Sequence, residues 1–522
     1  MAPLAARPFK SLERTRCFTA LIALLSSQVG ASIDFRAHVK APFLDQDLFG
    51  NTMALSGDIL AVGADLESSC ATGVNTTAAT DNGCIRAGAV YVFTRSGTTW
   101  TFEAYVKAPV VTAEDNFGGS VALSGDTLAV GAMREDSCAT GVNTTAATDD
   151  DCSDAGAAYV FTRSGTTWTF EAYVKAPFVS SDDFFGDSVA LSGDTLAIGA
   201  SSEDSCATGV STTAATDDGC FRAGAVYVFT RSGTTWTFEA YVKAPSVSVF
   251  DAFGENLALS GDTLAVGSYW EDSCATGVST TAATDDGCFD AGAVYVFTRS
   301  GTTWTFEAYV KAPVVTARDF FGESVALLGD TLAVGALRED SCATGVSTTA
   351  ATDDGCFDAG AVYVFTRSGT TWTFEAYVKA PVVFSGDFFS RSLALSGDTL
   401  AVGAEAERSC ATGVSTTAAT DDGCIRAGAA YLFTRSGTTW TFEAYVKAPV
   451  VSSGDYFGRS LALSGGTLAV GAESEDSCAT GVSTTAATDD VAAFNMRAFS
   501  SWVNLRRLGF NSSSITSQYW LG

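Results

Sequence analysis

A phenylalanine recurs every 68 residues through almost the whole chain, at Phe49, Phe117, Phe185, Phe253, Phe321, Phe389 and Phe457. A period of this length marks a chain built from stacked supersecondary units, and it overrides the three or four domains that 522 residues would otherwise suggest. Four strands can be read in the unit opening at Phe185. FGDSVALSG leads through the turn Ser192-Gly193-Asp194 into TLAIGA, which is apolar on both faces as a doubly covered strand must be. The loop SSEDSCATGVSTTAATDDGCFR precedes AGAVYVFTR, and the turn Ser232-Gly233 opens TTWTFEAYVKAP. In this fourth strand Trp236, Phe238, Ala240 and Val242 alternate with Thr235, Thr237, Glu239 and Lys243, the pattern of an outer strand with one face in water.

One such sheet leaves both faces of its inner strands bare, whereas arranging the sheets around an axis covers them and leaves only short, protected edges. The expected fold class is therefore all-β, a seven-bladed β-propeller of four-stranded antiparallel blades. A β-helix is the runner-up, but its coils are much shorter than this unit. The seventh unit stops matching after Asp490. Either the tail, residues 491–522, supplies a substitute third strand, or the last blade is incomplete. The expected organisation is a leader at 1–31, the repeat array at 32–490 and the divergent tail at 491–522.

FGDSVALSGDTLAIGA followed by AGAVYVFTRSG, repeated in register, resembles the FG-GAP repeats of integrin α-subunit N-terminal propellers and of many secreted microbial proteins. Phe389-Ser390 departs from the Phe-Gly pattern in the sixth unit. The resemblance implies a propeller closed by an N-terminal strand. IDFRAHVKAP at 33–42 is similar to the fourth-strand sequence FEAYVKAP and suits that role.

The N-terminus has the three parts of a secretory leader. Arg7, Lys10, Arg14 and Arg16 are basic, Phe18 to Leu25 is apolar, and Val29-Gly30-Ala31 is a small-residue cleavage site placing the mature start at Ser32. The apolar run is far shorter than the roughly 20 residues that span a bilayer, so no membrane span is expected. Beyond the leader, 26 Lys and Arg face 58 Asp and Glu. Such a surface excludes nucleic acid as a partner, because phosphate binding depends on cationic neutralisation. It favours cationic partners.

Twelve cysteines form six pairs, each 14 positions apart inside one unit: Cys70 with Cys84, Cys138 with Cys152, Cys206 with Cys220, Cys274 with Cys288, Cys342 with Cys356, and Cys410 with Cys424. They read as local disulfides, each worth about 3 kcal/mol in the chain-entropy model, and as a sign of an oxidising, extracellular location. Zinc does not fit, since His38 is the only histidine and two thiols cannot complete a four-ligand site. Cys478 is left without a partner.

No catalytic set can be assembled around the single histidine. The carboxylates recur from unit to unit, whereas an active site breaks the symmetry of a repeat, and no unit is expected to show such a break. The turn carboxylates Asp126, Asp194 and Asp262 replace the longer calcium loop of integrin-type blades and read as turn-stabilising groups. The pairs Asp217 and Asp218, Asp285 and Asp286, Asp353 and Asp354, and Asp421 and Asp422 lack EF-hand spacing and read as part of a stapled loop. No metal or cofactor is expected, with weak calcium binding at these acidic loops the one exception left open.

An aspartate stands two residues before every anchoring phenylalanine: Asp47, Asp115, Asp183, Asp251, Asp319, Asp387 and Asp455. Backbone capping explains it, and a ring of carboxylates at the propeller mouth is the functional reading. Sequence differences between units gather in the loops joining strand four to one and two to three, which leave a blade on the same face. On that face Phe250, Tyr269 and Trp270 form an expected aromatic cluster of the kind enriched at binding hot spots. Asn75, Asn143 and Asn511 are sequons for glycosylation. The expected function is a secreted, non-catalytic binding or adhesion module that holds an extracellular protein or glycan on the variable face. A structural coat or matrix protein is the alternative, and a secreted carbohydrate-active enzyme comes third.

Overall fold

The computed structural model describes residues 21–26, 34–42, 48–475 and 482–483. Among them every helical or strand element is a β-strand, and no helix is long and apolar enough to cross a membrane.

The unit opening at Phe185 shows why this sequence makes a blade. Strands Phe185–Ser192, Thr195–Ala200, Ala225–Ser232 and Thr235–Val242 pair antiparallel in chain order, with Val189↔Ile198, Ala197↔Val228 and Val228↔Ala240 in register. A fifth strand of only two residues, Val210–Ser211, then pairs with the fourth at Val210↔Val242. It is held by the backbone bonds Gly209 N to Ala244 O (3.2 Å) and Lys243 N to Gly209 O (2.9 Å). Six sheets have this form, each from one contiguous stretch, the first within 53–106 and the last within 389–446.

The expectation of seven four-stranded blades is thus corrected to six contiguous blades of five strands. A two-residue strand has no periodicity to read, so the long loop concealed it. The fourth strand is consequently not the outermost, and the alternation read there fails in its second half. Ala240, Tyr241, Val242 and Lys243 are all buried.

A further five-stranded sheet draws on both ends of the chain, in the order Leu461–Ser464, Thr467–Ala472, Leu21–Ser26, Asp34–Val39 and Val482–Ser483. Asp34–Val39 takes the fourth-strand position that its sequence suggested. Leu21–Ser26, inside the span read as a leader, takes the third, pairing with Thr467–Ala472 on one side and Asp34–Val39 on the other. The tail at 491–522, the alternative source of that strand, lies outside the described residues, as do Ser32, Asp47, Cys478 and Asn511.

The contacts between contiguous blades recur across this composite sheet. Ser188 Oγ donates to Gly254 O (2.6 Å), 66 residues on, and Ser460 Oγ donates to Gly50 O (2.6 Å) at the opposite end of the chain. Gly193 N donates to Ser124 Oγ (3.0 Å), and Gly57 N to Ser464 Oγ (3.1 Å). The ring therefore closes through the same hydroxyl–backbone bonds that join its interior blades, and the chain is an all-β propeller.

The cores lie between blades. Val226, Val228, Ala240 and Val242 of one sheet pack on Phe253, Leu264, Tyr295 and Trp304 of the next, while Tyr227 and Phe229 face the preceding sheet. Phe185 is buried against Tyr227 (5.3 Å between ring centroids), and its N–H donates to Ala155 O (3.1 Å). Gly156, at φ +78°, lies so close beneath it that a Cβ would sit 2.1 Å from Phe185 O. This explains the invariant Ala-Gly before the third strand.

A buried polar group repeats in every blade. Lys243 Nζ meets Glu203 Oε2 at 2.7 Å, Tyr241 OH donates to Glu203 Oε1 at 2.6 Å, and the lysine has no exposed surface. The same lysine–glutamate pair recurs as Lys107–Glu67, Lys175–Glu135, Lys311–Glu271, Lys379–Glu339 and Lys447–Glu407, and the composite sheet contributes Lys40 and Glu475.

Ser390 stands where other units have glycine and adopts φ +94°, close to Gly186 at +94°. It is buried, and its hydroxyl has no hydrogen-bond partner. A side chain in that region costs about 1–3 kcal/mol, so Ser390→Gly is expected to raise stability by about 1 kcal/mol or more, read as a higher midpoint in urea. An unchanged or lower midpoint would count against strain at this position.

Candidate functional site

All six expected disulfides are present, one closing the long loop of each contiguous blade. Cys70 is bonded to Cys84, Cys138 to Cys152, and Cys206 to Cys220. Cys274 is bonded to Cys288, Cys342 to Cys356, and Cys410 to Cys424. In every pair the first cysteine is exposed and the second is half-buried, so each bond pins the loop tip down onto its own blade.

The acidic segment inside this loop is occupied by local bonding. Asp217 accepts from Cys206 N (2.8 Å) and Ser205 Oγ (2.8 Å), and these bonds hold its carboxyl below the ordinary range. Asp194 in the first turn accepts from Arg231 Nε (2.8 Å) on the face opposite the variable loops. Asn75 and Asn143 are partly exposed on the two-residue fifth strands. Among the described residues no group of three or more His, Cys, Asp or Glu converges into a cation site.

The row of aspartates before the phenylalanines is buried, not displayed at the mouth. Asp115, Asp183, Asp251, Asp319, Asp387 and Asp455 are each at most 6% exposed. Asp251 accepts from Ser248 N (3.1 Å), and Asp319, Asp387 and Asp455 accept from the equivalent N–H of Thr316, Phe384 and Ser452. A carboxylate accepting the amide three residues back stiffens the turn entering the first strand. Burial pushes Asp115 up to about 6, Asp387 to about 7, and Asp183, Asp251 and Asp319 to about 8.

The structure divides the expected aromatic cluster in two. Tyr269 and Trp270 are 5.6 Å apart and gather around Phe320, which stacks on Trp270 at 5.9 Å and receives the Arg338 guanidinium at 4.5 Å. Phe250 instead meets Phe221 edge-on at 5.3 Å. Phe250 and Phe221 are more than half exposed, and Trp270 is 39% exposed. Phe221 and Phe320 are partners that a search along single loops missed, because each comes from the blade next to its neighbour's loop.

The repeat symmetry breaks at the inner ends of the first two strands, contrary to the expectation that no unit would differ. Two residues after the anchoring phenylalanine stand Asn51, Gly119, Asp187, Glu255, Glu323, Arg391 and Arg459 in successive units. Arg391 pairs with Glu323 (2.8 Å) and Glu405 (3.4 Å), and Arg459 with Glu405 and Glu473 (2.8 Å each). Asp187 accepts from Ser201 (2.6 Å), and Glu255 from Tyr269 (2.9 and 3.0 Å). Comparing equivalent positions, instead of searching for motifs, would have exposed this ring in the sequence.

The FG-GAP repeat family model matches residues 100–161, 168–229, 236–297, 304–365, 372–433 and 440–486. Each matched segment begins in one blade's fourth strand and runs into the next blade, so the family unit straddles the interface where the core lies. A search of curated proteins finds no match to the chain. With more than half of its length matched in register and the sheets closed into a propeller, this chain belongs to the FG-GAP repeat family.

Proposed function

We propose that the protein is a secreted, non-catalytic binding or adhesion module that engages an extracellular protein or glycan on the face carrying the two-to-three and four-to-one loops. The composite sheet is read as a seventh blade, giving that face a closed rim. The observation that carries the reading is the contrast between a nearly invariant, disulfide-stapled scaffold and aromatics that, among the described residues, are exposed on the loop face, with Trp270 and Phe250 on adjoining loops. Rigid scaffolds bearing variable, aromatic loops are how binding surfaces are commonly built. Glycans on Asn75 and Asn143 would border this face. The leader reading and the use of Leu21–Ser26 as a strand make opposite demands on one segment, and the mass of the secreted chain decides between them.

Binding of the secreted chain to extracellular proteins and glycans, with calcium and with chelator, tests the reading. Saturable binding that Trp270→Ala weakens at least tenfold, with an unchanged melting temperature, is expected. Folded protein that binds nothing on either panel would favour the coat or matrix role.

A further inference from the structure

Asp187 stands on the first strand of its blade and Glu255 immediately before the first strand of the next, and the residues beside them touch, since Ser188 Oγ donates to Gly254 O at 2.6 Å. Two blades further round, the same contact recurs as Ser324 Oγ to Ser390 O (2.7 Å). There the equivalent side chains are Glu323 and Arg391, and the guanidinium meets the carboxylate at 2.8 Å. One junction thus holds an acid and its cation, and the other holds two acids.

Among the described residues, Asp187 and Glu255 have hydroxyl partners only, and no ion pair to either is formed. Arg222 is the cation acting on both carboxylates, but its Nε is bonded to Ser202 Oγ (3.2 Å). Beside the pair, Tyr269 and Trp270 present an aromatic wall, and Arg338 already lies over the neighbouring Phe320 ring at 4.5 Å. Carboxylates next to aromatic faces are the combination that recognises ammonium and guanidinium groups.

We propose that the Asp187–Glu255 junction binds an organic cation, an ammonium or guanidinium group that takes the place Arg391 fills beside Glu323. The proposal rests on the binding-module reading and names the chemistry of its ligand. Burial raises both carboxyls, and at Glu255 the Asp187 charge adds to the rise, to about 8; a bound cation relieves that repulsion. The chain's charge of −29 attracts cations to the site over a longer range, in a salt-dependent way.

The test titrates the whole protein at low ionic strength with spermidine, with an arginine-containing tripeptide and with its glutamate counterpart. Wild type should bind one or both cationic probes, and the glutamate peptide not at all. Asp187→Asn combined with Glu255→Gln should lose at least tenfold in affinity while melting no lower, since the substitution removes like-charge repulsion. Equal binding by wild type and double variant overturns the proposal, as does failure of both cationic probes. Spermidine alone points to a free amine, and the peptide alone points to a basic side chain of a partner protein. Macromolecular binding that the double variant retains, but that Trp270→Ala loses, leaves the binding-module reading standing and removes this one.

Discussion

Glu203→Ala is expected to destabilise the blade that carries it by about 3–5 kcal/mol, the usual cost of stranding one partner of a buried ion pair. Lys243 is wholly buried, and its ammonium is held by Glu203 Oε2 at 2.7 Å. Burial pulls that ammonium below the ordinary lysine range, and the Glu203 charge opposes the effect. Removing the carboxylate also takes away the acceptor to which the Tyr241 hydroxyl donates at 2.6 Å, Glu203 Oε1. Urea unfolding followed by tryptophan fluorescence measures the cost, and hydrogen exchange around Thr235–Val242 shows whether the damage spreads. The double variant Glu203→Leu, Lys243→Met should recover most of the loss, because apolar residues of similar volume replace buried pairs at little cost. A single variant costing under about 1 kcal/mol would show that water reaches the pair.

Stability should also fall as pH rises between about 4 and 8, by more than about 3 kcal/mol in all. The folded carboxyls of Asp115, Asp183, Asp251, Asp319 and Asp387 are raised, chiefly by burial, to between about 6 and 8. An unfolded aspartate releases its proton near 3.9, so in this window the folded state binds more protons than the unfolded one. Each carboxyl therefore contributes stability that is fully present below the unfolded value and lost as pH rises through the folded value. The melting temperature at pH 5 should exceed that at pH 9, and Asp183→Asn should flatten part of the slope. A profile level across this range would show that these carboxylates stay ionised by recruiting water.

Much of the architecture was legible because it is repeated. Phe185, the Ser192-Gly193-Asp194 turn and the pairing of Cys206 with Cys220 sit in local patterns whose spacing alone implies a buried anchor, a hairpin and a staple, and the echoes of each in other units remove ambiguity. The outer edge was misread because Lys243 belongs by its chemistry in water, and only the approach of Glu203 from 40 residues away makes burial tolerable. The aspartates were visible, but not their depth: whether Asp183 lines a mouth or caps a buried turn depends on the neighbouring loop above it.

By itself the sequence determined the β-class, the 68-residue unit, the disulfides and the strong negative charge, all of which follow from local spacing and composition. Tertiary structure decided which charges meet. Asp187, Glu255, Glu323, Arg391 and Arg459 lie 68 residues apart along the chain and become neighbours only when the blades close into a ring. The physical reason is that Coulomb interactions and desolvation depend on distance in space and on burial. Neither quantity is set before the blades pack.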